Sequence, residues 1–146
     1  MVIKEFKTKE LENILSNVKS EKELNKFISD YTRNNFGSFA EYFNSFVSEK
    51  DLRLSDVITK SNVSKNYVYN IVNGDRNPSR DKIIALCIGA GMDYIHVNRG
   101  LKIAKQGVLY PKDERDARII SAINNGVKNV VDLNIILESE NLRILE

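Results

Sequence analysis

Little in this chain supports catalysis, metal binding or membrane insertion. It has one cysteine, Cys87, so an intrachain disulfide framework is excluded. It has one histidine, His96, with no second imidazole or thiol at ligand spacing, so no metal site is expected. No apolar run approaches the length that crosses a bilayer, and none follows the first lysines as a signal peptide would. A Gly-rich phosphate loop, a nucleophile elbow and zinc-ligand spacings are all absent, so neither an enzyme nor a cofactor is expected. Period-two alternation persists nowhere, which leaves an all-α chain. The expected setting is soluble, reducing and cytoplasmic, with no membrane partner.

The net charge is only +2 and the isoelectric point 8.6, short of the basic footprint of many nucleic-acid binders. Its distribution is more informative. Residues 38–94 carry seven basic groups against seven acidic. Within residues 60–82, however, Lys60, Lys65, Arg76, Arg80 and Lys82 outnumber Asp75 and Asp81. A second basic stretch spans residues 96–118 and could meet DNA or another partner.

The densest signal lies in residues 54–79, LSDVITKSNVSKNYVYNIVNGDRNPS. Val57, Ile58 and Ser61 share one helical face, and Asn62 follows where a sharp turn needs a residue tolerant of positive φ. Ser64 is placed to cap a new helix, with Val68, Ile71 and Val72 on its inner face. Lys65, Asn66, Tyr69 and Asn70 fall outside that apolar stripe, near the N-terminal half, where a recognition helix presents side chains to base edges. Asn73-Gly74 supplies a helix stop, and Pro78-Ser79 starts a further helix carrying Ile83, Ile84, Cys87 and Ile88.

These features resemble the Cro and lambda-repressor type, or Xre-like, helix-turn-helix family over about residues 38–93. The resemblance rests on Asn62-Val63-Ser64, on Val68-Tyr69-Asn70-Ile71, and on the loop Asn73-Gly74-Asp75-Arg76-Asn77-Pro78-Ser79. It implies a domain of about five helices that binds operator DNA as a transcriptional regulator, with the helix over residues 64–73 in the major groove. By the same likeness Lys65, Asn66 and Asn70 read bases, and Arg76, Asn77 and Arg80 meet phosphates; from its place on the helix Tyr69 is expected at the DNA surface as a base contact, though Tyr can meet base or phosphate, and Ser64 is expected at a phosphate. A different class remains open on the same fold, a protein-interaction adaptor or antitoxin-like module. The neutral charge balance favours it, as does Leu54, which stands where the family usually carries a polar side chain.

Three regions follow. Residues 1–37 read as a helical hairpin: Leu11, Ile14, Leu15 and Val18, then Leu24, Phe27, Ile28 and Tyr31, with caps at Thr8 and Ser20 and an exit at Asn34-Asn35 and Gly37. Residues 38–107 form the helix-turn-helix domain. Its first helix, opened by Ser38 and Glu41, carries Phe39, Tyr42, Phe43, Phe46 and Val47 as an aromatic core face. The domain continues through Tyr94, Val97, Leu101 and Ala104. Residues 108–146 form a C-terminal helical pair bearing Ile119, Ile120 and Ile123, then Leu133, Ile136 and Leu137. That pair has two open roles, packing on its own subunit or joining two copies as a homodimer. Cys87 reads as a buried small hydrophobe, His96 as a surface residue, Tyr67 as a cover for the turn, and residues 112–118 as a solvated helix start.

Overall fold

The computed structural model describes residues 8–31 and 36–146, with residues 8 and 27–31 described by their backbone only. The described residues are helical, with no strand among them. They divide into two compact units, one within residues 1–36 and one over residues 37–146.

In the first unit, α1 (Thr8–Ser16) and α2 (Glu21–Tyr31) contact each other. Ser20 Oγ accepts from the Glu23 amide, while the Glu23 carboxylate accepts from Lys19 N–H at 2.8 Å. This reciprocal arrangement satisfies amide groups that the first helical turn cannot. The inner positions Leu11, Ile14, Val18 and Leu24 are half-buried, and Leu15 is exposed. The expected apolar contribution of Phe27, Ile28 and Tyr31 and the exit at Asn34-Asn35 lie outside the described side chains and residues.

The second unit runs α3 (Phe39–Glu49), α4 (Leu54–Ser61), α5 (Lys65–Val72), α6 (Arg80–Gly89), α7 (Tyr94–Ile103), α8 (Glu114–Asn124) and α9 (Val130–Ser139). Side-chain caps from Ser38, Ser64, Ser79, Asp93, Asp113 and Asn129 open six of these helices. Each gives an orphan amide at a helix start an acceptor, which explains how such short helices hold their ends.

At the centre is α6. Every residue from Ile83 to Ala90 is buried, because α4, α7 and α9 pack around it. A helix apolar on all sides must be surrounded. Gly89 sets the approach to α4: a Cβ there would lie 2.8 Å from both Cβ and backbone N of Ser61. Gly100 does the same for α7, where a Cβ would come within 3.2 Å of the Phe39 and Tyr42 rings. Phe39, Tyr42 and Phe43 of α3 are buried, and Tyr42 Oη donates to the His96 carbonyl at 2.7 Å.

The C-terminal pair packs on its own unit: α9 contacts α4 and α6, and α8 contacts α7. Leu133 and Leu137 are fully buried and Ile136 is half-buried. Of the two roles open to this stripe, Leu133 and Leu137 take the first and pack on the chain's own core. A compact unit boundary falls at residue 36/37, whereas none falls near residue 107.

Candidate nucleic-acid interface

The connection from α4 to α5 is three residues long. Asn62 adopts φ 56 and ψ 33, the left-handed geometry that Asn tolerates better than most residues. Val63 is buried beneath it, and Ser64 caps α5 by accepting from the Tyr67 amide at 3.3 Å. The helix then separates two faces. Val68 and Ile71 are fully buried, while Lys65, Asn66, Tyr69 and Asn70 are exposed. The four expected base-reading residues thus share the outward side, and the side chains of Asn66 and Asn70 have no hydrogen-bond partner among the described residues.

At its far end, α5 closes on Asn73, and Gly74 takes φ 79, a conformation Gly enters freely. Asn44 of α3 donates from Nδ2 to the Val72 carbonyl at 2.9 Å and fixes this end. Arg76 and Asn77 are exposed in the loop, Pro78 is buried, and Ser79 caps α6.

Cations gather on the two tyrosines of α5. The Arg76 guanidinium lies 4.3 Å from the Tyr67 ring centroid and Lys82 Nζ lies 5.4 Å from the same ring. Lys65 Nζ lies 5.9 Å from the Tyr69 ring. Attraction to a ring face restrains a long side chain without neutralising it, so the charge stays available to an anion. Tyr67, expected to cover the turn, is half-buried and carries the loop's arginine on its ring. Lys82 was not foreseen in this role, because no periodicity relates residue 67 to residues 76 and 82 across an irregular loop.

Arg80 departs from its expected place at a phosphate. Its guanidinium is turned inward: Nη1 and Nη2 donate to the two carboxylate oxygens of Asp116 at 3.2 and 2.8 Å, and Nε and Nη2 donate to the carbonyls of Gly107 and Val108. Four of the five guanidinium N–H groups are therefore used within the chain. Arg80 does not stand free to meet a phosphate. The segment 112–118 is likewise more than a solvated helix start. Asp116 is buried, and Arg115 donates to both carboxylate oxygens of Asp81 at 3.1 and 3.0 Å and to the carbonyls of Arg143 and Ile144. The first turns of α6 and α8 thus exchange an arginine for an aspartate in both directions.

His96 is half-buried rather than at the surface: its ring lies 5.7 Å from that of Phe46, and Nδ1 pairs with Asp93 Oδ1 at 2.7 Å. Partial burial pushes the Asp93 carboxyl up, but the amide and ring of His96 outweigh it and hold the group below its ordinary value. Burial raises the Cys87 thiol far above its usual range, which leaves it a small hydrophobe in the core. Among the described residues no group of histidine, cysteine and carboxylate side chains could hold a metal, and no helix is long and apolar enough to cross a membrane. Comparison with protein-family models, curated proteins and solved structures finds no match to this chain.

Proposed function

We propose that the protein binds double-stranded DNA sequence-specifically, with α5 in the major groove, and acts as a transcriptional regulator on a helix-turn-helix fold. The observation that carries this reading is the outer face of α5. Lys65, Asn66, Tyr69 and Asn70 are exposed together, and Lys65, Arg76 and Lys82 stand over the two tyrosine rings of the same helix. Such a face combines amides able to pair bidentately with adenine and cations able to neutralise phosphates. With Arg80 withdrawn, the phosphate contacts fall to Ser64, Arg76, Asn77 and Lys82.

One copy supplies few contacts, and a two-fold site with half-sites about 34 Å apart would double them. The contact we assign to a second copy is the outward side of α9, where Val131 and Ile135 lie one turn apart and are 46% and 62% exposed. A dimer built this way needs no rearrangement of the buried Leu133 and Leu137.

The test is retention of duplex DNA from the region upstream of the protein's own reading frame, against random duplex, at two salt concentrations. Preference for one sequence with a steep salt dependence is the expected result. Absence of binding to any duplex would remove the reading and favour a protein partner. Sedimentation of the Ile135→Asp protein, expected to be monomeric, checks the α9 contact.

A further inference from the structure

A cleft of about 430 Å³ opens beside α4, on residues that the proposed DNA face does not use. Four cations line it, Lys50, Arg53, Lys60 and Lys128, against one acid, Asp56. Phe46, Leu52 and Val57 supply the apolar part of its lining. None of the four cations takes part in an ion pair among the described residues.

Helical spacing explains why Arg53, Asp56 and Lys60 share a side of α4, but not why cations from two other places join them. Lys50 comes from the end of α3 and Lys128 from the turn before α9. The end of α6 also borders the cleft, at Gly89, Ala90 and Gly91. Its macrodipole places roughly half a negative charge there, which one lysine offsets. With Asp56 and that half charge subtracted from the four cations, the lining retains roughly two and a half positive charges. Like charges on one concave surface repel in the empty state and concentrate anions from solution. Gly91 lines the turn out of α6 with φ 77, a conformation that glycine enters freely.

From this we infer that the cleft binds a small organic phosphate carrying at least two negative charges. The cations hold the phosphate, and the ligand body lies on the half-buried Phe46 and Leu52. The volume falls in the range of small-molecule sites, which pair an apolar lining with a few convergent polar groups. Bare inorganic phosphate would satisfy the charge but leave that lining without an occupant.

Calorimetric titration of the full chain with ADP, inorganic pyrophosphate and sulfate, at about 0.15 M salt, tests this. ADP is expected to bind saturably with Kd below about 1 mM and more tightly than pyrophosphate, while sulfate binds at least about tenfold more weakly than ADP. The Arg53→Ala/Lys60→Ala protein should lose about tenfold in ADP affinity or more. Both side chains are exposed, so its helicity and melting temperature should match the parent. A Lys102→Ala/Lys112→Ala protein, with the same charge removed from other exposed positions, should bind ADP as the parent does. Absence of saturable ADP binding, equal loss in both double variants, or sulfate as tight as ADP would overturn the inference. Pyrophosphate as tight as ADP would overturn the role of the apolar lining and leave an inorganic-phosphate site. Duplex DNA retention lost in the Arg53→Ala/Lys60→Ala protein, with no ADP binding by the parent, would reassign the cations to the DNA backbone.

Discussion

Arg80 and Asp116, 36 residues apart in sequence, form a two-pronged ion pair with N–O distances of 3.2 and 2.8 Å. Asp81 and Arg115 repeat it in the opposite sense at 3.1 and 3.0 Å. In each pair the arginine also holds two backbone carbonyls, Gly107 and Val108 for Arg80, Arg143 and Ile144 for Arg115. The pairs therefore fasten the loop before α8 and the end of the chain to the start of α6. A planar fork that binds two carboxylate oxygens at once suits arginine and not lysine.

Arg80→Ala should consequently act on stability. Removal leaves the Asp116 carboxylate, only 8% exposed, without its cation, and frees two carbonyls. The expected cost is about 2–3 kcal/mol, read as a lower urea midpoint. The slope of DNA affinity against salt should stay at the parent's value. A slope reduced by about one unit, with stability unchanged, would return Arg80 to the phosphate backbone.

For base reading, the amides of Asn66 and Asn70 are the relevant groups. Each is exposed, and an Asn side chain can accept from and donate to one adenine edge. Asn66→Ala or Asn70→Ala should cost about 1–3 kcal/mol at the preferred sequence and leave affinity for random duplex unchanged. Competition titration with the two duplexes measures both quantities. Equal losses on both would show that these amides do not discriminate bases.

Tyr67 and Arg76 allow a charge to be separated from its support. Arg76→Ala should remove one phosphate contact and reduce the salt slope by about one unit on every sequence. Tyr67→Leu retains the charge but loses the ring 4.3 Å beneath it. An exposed cation–π contact is worth about 0.5–1 kcal/mol, which caps the pre-organisation lost, so affinity should fall by no more than about two- to fivefold with the slope intact. If Tyr67→Leu lowers the slope as Arg76→Ala does, the ring has a direct part in the contact.

The elements were legible where local chemistry fixes them. Ser64 as a cap, Asn62 as a left-handed turn and Gly74 as a stop all depend on neighbours within a few residues, and each stands where the pattern placed it. The faces of α5 followed from spacing for the same reason. What depends on distant partners was not legible. Arg80 has the sequence context of a phosphate ligand, and only the return of α8 to α6 brings Asp116 to it. Leu133 and Leu137 form an apolar stripe whether they cover their own core or a second copy, and periodicity does not name the partner. The cleft lining was equally hidden, since Lys50, Arg53, Lys60 and Lys128 come together through three separate elements.

Asp93 gives stability a pH dependence with a defined sign. Its carboxylate caps α7 by accepting from the His96 amide at 2.9 Å and pairs with His96 Nδ1. Its folded pKa lies below the ordinary 3.8, so the folded state binds the proton less readily than the unfolded one. The stabilisation is present in full above that ordinary value and is lost as pH falls through the lower folded value. Asp93→Asn keeps an oxygen for the His96 amide and removes the charge. The parent should therefore be more stable than the variant near neutrality, by a modest margin because the Asp93 side chain is 64% exposed and solvent screens it. The difference should shrink to zero at the acid end, which urea midpoints of both proteins between about pH 2 and pH 7 measure. A difference that stays constant across that range would assign the contribution of Asp93 to cap geometry alone, because a neutral amide cannot lose a charge that the carboxylate does.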